Sequence, residues 1–268
     1  MSEEYGLPRI GDPAPDFSGV TTQHTDFNFS VWQEQNWVVL FSHPADFTPV
    51  CTTELIAFAR QHDRFLQRKV KLIGLSVDSI HSHLAWVRNI QEKMNVSIPF
   101  PMIADSDMKI AKLYGMIHPN ASSTATVRAV FIIDPKRVIR ALVYYPLNAG
   151  RNVDEILRLV TALQTTQRFA CATPANWQEG DKVVVPPPKT LQEVEAALAH
   201  ADYDHQDFYL ALKDITKPVD TSIPASDKKA DAPQVAEAET TQSAESPAVK
   251  PAEGNGASAS ASESSPSA

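Results

Sequence analysis

Apolar residues up to about Lys217 recur in two rhythms. Continuous short runs, Trp37-Val38-Val39-Leu40-Phe41 and Val70-Lys71-Leu72-Ile73-Gly74-Leu75-Ser76-Val77, read as buried strands. Val127 to Asp134 and Val138 to Tyr145 read as consecutive strands joined tightly at Pro135-Lys136-Arg137. Helical spacing separates these runs. Leu55, Phe58, Ala59, Phe65 and Leu66 fall on one helix face, and Ile80, Leu84, Val87 and Met94 predict another helix. A shorter helix is expected over Asp105 to Met116, and Val153, Ile156, Leu157, Val160 and Leu163 form a strong helical stripe. Alternation of this kind predicts an α/β layered domain, although periodicity leaves the strand order open.

A smaller segment begins near Ala172. It holds a turn at Trp177-Gln178-Glu179-Gly180-Asp181, the run Val183-Val184-Val185, a break at Pro186-Pro187-Pro188 and a short helix over Leu191 to His200. Beyond Lys217 there is no aromatic residue and no leucine. That stretch cannot bury enough apolar surface to offset its ordering entropy, so a disordered tail is expected. The reading divides the chain into 1–170, 171–217 and 218–268, with no internal repeat.

Composition narrows the function classes. No stretch approaches the roughly 18 apolar residues that cross a bilayer, and Met1-Ser2-Glu3-Glu4-Tyr5 lacks the pattern of a secretory signal. Two cysteines 120 positions apart make no disulfide framework, so a reducing cytoplasm is the expected compartment. The net charge is −8, of which the segment from Pro218 onward carries −5. Neither part attracts nucleic acid.

Cys51 lies between the first strand and the first long helix, in His43-Pro44-Ala45-Asp46-Phe47-Thr48-Pro49-Val50-Cys51-Thr52-Thr53-Glu54. Pro49 suits the first helical position and Thr48 the N-cap. Cys51 then sits in the first turn, where backbone N–H groups and the helix dipole favour a thiolate. Counting back four from Leu55 places it on the apolar face, shielded from water. The alternative is a small buried hydrophobe without chemistry.

The spacing Pro44-x-x-x-Thr48-x-x-Cys51 resembles the active-site motif of the peroxiredoxins. The longer string from Phe41-Ser42-His43-Pro44 to Cys51-Thr52-Thr53-Glu54-Leu55 resembles their 1-Cys, peroxiredoxin-six type, branch. The likeness runs from about Leu7 to Asp214. It includes Gly11-Asp12-Pro13-Ala14-Pro15, Arg128, Gly150 to Arg158 and Ala172-Thr173-Pro174-Ala175-Asn176-Trp177. It implies a thioredoxin-like fold, a central mixed β-sheet flanked by helices, with a small C-terminal extension that packs across a dimer partner.

The resemblance also implies a thiol-dependent peroxidase acting on hydrogen peroxide and small organic hydroperoxides through a sulfenic acid on Cys51. Arg128, a permanent cation in an otherwise uncharged strand, needs a partner, and a thiolate would be one; pairing with a surface carboxylate at a sheet edge is the alternative. Thr48 is expected to cap the helix, to hydrogen-bond the thiolate and a peroxide oxygen, or both. Pro44 would shield the cysteine. Glu54 either serves the helix dipole in the first turn or orients an active-site arginine. Arg151 either joins that network or is solvated at a helix start. His43 either contacts the sulfur or a peroxide, or is a satisfied, half-buried histidine.

Cys171 fits no resolving motif of the typical two-cysteine branches and reads as a small residue at a domain junction. A one-cysteine mechanism with an external thiol reductant (glutathione, thioredoxin or similar) follows, a resolving role for Cys171 being the alternative. No cofactor is implied. His81 and His83 point different ways on a helix, no pair has His-x-x-x-His spacing, and no metal site is expected. Some proteins of the branch carry phospholipase activity. Here Asn36, Ser30 and Lys136 occupy the positions of its serine, histidine and aspartate, so none is expected. A function of another class, a redox-switched binding or chaperone protein, would use the same thiol, with the acidic tail as its motive.

Overall fold

The computed structural model describes residues 7–216. In chain order the elements are β1 (Ser18–Gly19), β2 (Phe27–Asn28), α1 (Phe29–Gln33), β3 (Trp37–Ser42), α2 (Pro49–Leu66), β4 (Val70–Ser76), α3 (Ile80–Met94), β5 (Met102–Ala104), α4 (Lys109–Leu113), β6 (Arg128–Ile133), β7 (Ile139–Tyr145) and α5 (Val153–Phe169). The extension adds β8 (Val183–Val184), α6 (Leu191–Leu198), β9 (Tyr203–Asp207) and β10 (Leu210–Lys213).

Five strands form the central sheet in the order β5-β4-β3-β6-β7. β3, β4 and β5 run parallel, joined by crossovers through α2 and α3, whereas β6 is antiparallel to both β3 and β7. Parallel neighbours need a crossover and antiparallel ones only a hairpin. The tight link at Pro135-Lys136-Arg137 is such a hairpin. The Asp134 carboxylate accepts the N–H groups of Lys136 and Val138, and Arg137 adopts φ 61°. A short aspartate side chain closing on its own backbone is a turn-forming device.

The continuous apolar runs are explained by layers on both sides of the sheet. Trp37, Val39 and Phe41 join one core with Leu55 and Phe58 of α2, Trp86 and Ile90 of α3, and Ile156 and Val160 of α5. Val38 and Leu40 point to the other core, with Phe17, Phe27, Phe29 and Tyr114. Alternate residues of β3 therefore anchor opposite layers, and all six are buried. In the extension, β8-β10-β9 form a separate sheet. Trp177 and Val183 pack on Ala162 of α5, with Cys171 partly buried against them.

Several details depart from the periodicity reading. In α3 the buried residues are His83, Trp86 and Ile90, while Leu84 and Met94 are 47% and 45% exposed. The core face is turned because a histidine is taken inside. Leu66, at the end of α2, is likewise exposed. α4 spans only Lys109–Leu113 because Asp105 accepts the N–H groups of Ile110 and Ala111 and stays outside the helix. The expected tail falls on residues outside those described. Among the described residues no helix is long and apolar enough to cross a membrane.

Candidate active site

The site lies where β3 ends. In an open sheet, the carboxyl end of a parallel strand and the start of its following helix form a natural crevice. Ser42 closes β3; its hydroxyl donates to the Val127 carbonyl at 2.6 Å and accepts the Ala129 N–H at 3.1 Å. Thr126 donates to the His43 carbonyl at 2.7 Å. These bonds tie the loop after β3 to the start of β6, which brings Arg128 alongside α2.

Cys51 is the third residue of α2 and is 1% exposed. Pro49 opens the helix and Thr48 is its N-cap in backbone conformation, with φ −98° and ψ 147°. The Thr48 hydroxyl does not cap the helix. It donates to the Ala45 carbonyl at 2.8 Å, which corrects the capping expectation. Pro44 is half-buried in the same loop. Between them Phe47 holds φ 54° and is exposed.

Arg128 is buried at the first position of β6, with Nη1 3.2 Å from the Cys51 sulfur and 2.7 Å from Oε2 of Glu54. Its Nε and Nη2 both donate to the Leu147 carbonyl. All three guanidinium nitrogens are thereby engaged. The partner carboxylate is buried, not a surface group.

Glu54 lies beyond the first turn of α2, 3% exposed, so a helix-dipole role in that turn does not describe it. Its carboxylate takes Arg128 and, through both oxygens, Nε and Nη2 of Arg151. It also accepts the Arg151 backbone N–H at 2.8 Å. Burial alone would push the Glu54 carboxyl up, but the charge and hydrogen bonds of Arg151, aided by Arg128, hold it below the ordinary carboxylate range.

Arg151 is itself buried rather than solvated. Its Nη1 donates to the carbonyls of Ser42 and Ala129, and its guanidinium lies 5.3 Å from the Phe41 ring and 5.7 Å from that of Phe58. Burial pulls its pKa down, and Glu54 opposes that.

His43 is buried, and its ring packs 5.2 Å from Trp86. Its Nε2 lies 2.8 Å from Oδ1 of Asp46, and the other oxygen of Asp46 lies 2.8 Å from Nδ1 of His83. Ligand atoms of His43, Asp46 and His83 fall within 4.8 Å of one another, close enough for a metal ion. Spacing along the sequence gave no sign of this grouping, because α3 delivers His83 from across a crossover. The three side chains are engaged with one another. Asp46 stood unremarked within the motif, and His83 was weighed from the sequence only as a metal ligand beside His81, a spacing that does not reveal its pairing with Asp46.

Cys171 is half-buried, and burial pushes its thiol up. The structure groups it with Trp177, Val183 and Ala162, a different core from that of Cys51.

Residues 10–142 match the model of the AhpC/TSA family, and residues 162–199 match the C-terminal domain of 1-Cys peroxiredoxin. A peroxiredoxin of Aquifex aeolicus is 52% identical over 223 residues, covering 80% of this chain and all of the relative. Peroxiredoxin 2 of Caldanaerobacter subterraneus subsp. tengcongensis is 54% identical over 210 residues, 78% of this chain and 94% of that one. Among solved structures, a yeast mitochondrial 1-Cys peroxiredoxin superposes with a TM-score of 0.70 at 42% identity, covering 78% of this chain and 100% of its own. A cysteine-to-serine mutant of peroxiredoxin 6 from Arenicola marina gives a TM-score of 0.70 at 36% identity, over 78% of this chain and 98% of its own.

Proposed function

The chain belongs to the AhpC/TSA family as a peroxiredoxin of the 1-Cys type, a thiol-dependent peroxidase, and on that premise we propose the roles of its residues. Cys51 is the peroxide-reducing thiol, and hydrogen peroxide and small organic hydroperoxides are the substrates. The observation that carries this reading is the Arg128 guanidinium 3.2 Å from the Cys51 sulfur at a helix start.

The Cys51 thiolate attacks one peroxide oxygen. A sulfur–oxygen bond forms and the O–O bond breaks. The departing oxygen leaves with the electron pair, takes a proton, and becomes water or alcohol. The sulfur is oxidised by two electrons to a sulfenic acid. Arg128 donates to the sulfur and to charge developing on the breaking bond, and fixed donors need no reorganisation at the moment of reaction. Glu54 holds Arg128 in place, and Arg151 holds Glu54. Thr48 has donated its hydrogen to Ala45, so its oxygen is offered as an acceptor to the hydroperoxide. Pro44 screens the thiol and brings no competing N–H.

An external thiol completes the cycle. Two equivalents return the sulfenic acid to the thiol, releasing water and a disulfide. Cys171 packs, half-buried, against a different core from that of Cys51, which argues against an internal resolver. The yeast mitochondrial relative has a thiol-resolving mechanism via glutathione and thioredoxin systems, and we assign the same class of reductant here. The exposed apolar residues Leu191, Leu198 and Tyr209 of the extension support a homodimer. Two free cysteines support a cytoplasmic setting.

The test is mass spectrometry after one equivalent of hydrogen peroxide with dimedone present. A dimedone adduct on Cys51 with Cys171 free is expected. A rapidly formed Cys51–Cys171 disulfide would overturn the one-cysteine mechanism.

A further inference from the structure

The proposed chemistry depends on where the Arg128 guanidinium points, and a side chain that never touches the guanidinium grips the backbone that aims it. Antiparallel pairing of β3 with β6 stops at Phe41 and Val130, whereas pairing of β3 with β4 continues through Ser42 and Leu75. Ser42 is therefore anchored on its β4 side and lies past the end of the ladder on its β6 side. Side chains fill the break. The carbonyls of Ser42 and Ala129 accept Nη1 of Arg151 at 2.8 and 3.0 Å. The Ser42 hydroxyl reaches across to β6, donating to the Val127 carbonyl at 2.6 Å and accepting the Ala129 N–H at 3.1 Å.

Those two backbone groups flank a single residue. The Val127 carbonyl belongs to the peptide plane before the Arg128 Cα, and the Ala129 N–H to the plane after it. The Ala129 N–H also lies 3.1 Å from the Val127 carbonyl, which makes Arg128 the centre of a γ-turn. Arg128 keeps a negative φ, so the turn is the inverse form common at strand ends. A residue has only two soft backbone dihedrals, φ and ψ, and they set the relation between those two planes. One hydroxyl that holds both planes fixes both rotations, and with them the direction in which the Arg128 side chain leaves the strand. Glu54 and the Leu147 carbonyl hold the far end of that side chain, and Ser42 holds its root. Ser42 is fully buried, so bulk water does not replace the hydroxyl.

We propose that Ser42 is a positioning residue of the peroxidase: its hydroxyl staples the γ-turn at Arg128 and so aims the guanidinium at the Cys51 sulfur and the breaking O–O bond. The inference rests on the peroxidase reading.

The test is a double-mutant cycle in the full-length protein. Wild type, Ser42→Ala, Arg128→Lys and the pair are each read by the second-order rate of Cys51 oxidation by hydrogen peroxide. Ser42→Ala should slow oxidation roughly tenfold to a hundredfold, the scale of a displacement of about 1 Å at a positioned group. In the Arg128→Lys background the fork is already lost, so the same substitution should change the rate by less than about threefold, because residues that act as a unit are not additive. A merely structural serine would lower stability in both backgrounds and show no such coupling in the rate. A Ser42→Ala rate within about threefold of wild type, or an equal loss in both backgrounds, overturns the proposal. If Ser42→Ala does not fold, Ser42→Thr and Ser42→Val take its place, since they differ by a hydroxyl in nearly the same shape. Ser42→Thr should then oxidise at least about tenfold faster than Ser42→Val, and equal rates overturn the proposal. A wild-type protein whose Cys51 is not oxidised would instead defeat the peroxidase reading itself.

Discussion

Glu54→Gln removes one negative charge from between two buried guanidinium groups. The carboxylate is 3% exposed and accepts four side-chain and backbone contacts, from Arg128, from Nε and Nη2 of Arg151, and from the Arg151 N–H. Glutamine has nearly the same shape. Only one of its two terminal atoms accepts, so the other turns a donor toward a guanidinium. Removing one member of a buried ion pair costs about 3–5 kcal/mol, because the remaining charge is left without compensation. Arg128 still reaches the Leu147 carbonyl and Arg151 those of Ser42 and Ala129, which sets the expectation at the low end, about 3 kcal/mol at pH 7. The assay is urea unfolding of wild type and variant at one protein concentration, since association would otherwise shift both midpoints.

The pH dependence supplies a second check. The Glu54 carboxyl is depressed in the folded state, so its contribution is complete above the ordinary value of 4.5 and is lost as pH falls through the lower folded-state value. The stability gap between wild type and Glu54→Gln should therefore be constant near neutrality and shrink only on the acid side of 4.5. A gap under about 1 kcal/mol at pH 7, the range of exposed pairs, would refute the claim that Glu54 neutralises two buried cations. A gap independent of pH down to acid unfolding would do the same.

Two further substitutions probe other links. Arg128→Lys keeps the charge but loses the planar fork that reaches Cys51, Glu54 and Leu147 together. Stopped-flow oxidation of Cys51 should slow by about 10²–10³-fold, the usual cost of losing one preorganised donor, with the circular dichroism spectrum unchanged; a rate within threefold of wild type would dismiss the fork. Phe58→Ala empties a fully buried position whose ring stacks on Phe41 at 4.2 Å and lies beneath Arg151. It should cost about 3–5 kcal/mol in the same unfolding assay, and a loss below about 1 kcal/mol would mean that the sheet–α2 interface can collapse around the gap.

The hydrophobic pattern by itself determined the main elements of this chain, because a strand buried on both faces and a helix with one apolar stripe each leave a period in the sequence. β3, β4, β6, β7, α2 and α5 were legible for that reason. So was the place of Cys51, since Pro49 and Thr48 mark a helix start by local backbone constraints alone. Short or polar elements escaped: β5 has three residues, and β9 is mostly polar at a surface. The sequence read Glu54 and Arg151 as residues with two alternatives each, His83 only as a metal ligand that its spacing from His81 ruled out, and Asp46 not at all. Their partners lie far along the chain, Arg151 97 positions from Glu54 and His83 37 from Asp46. Only the packing of β6 against β3 and of α3 beside the loop after β3 brought them together. Burial then decided their chemistry, because a charge or an imidazole taken out of water must find a partner, and which partner it finds is a property of the tertiary fold.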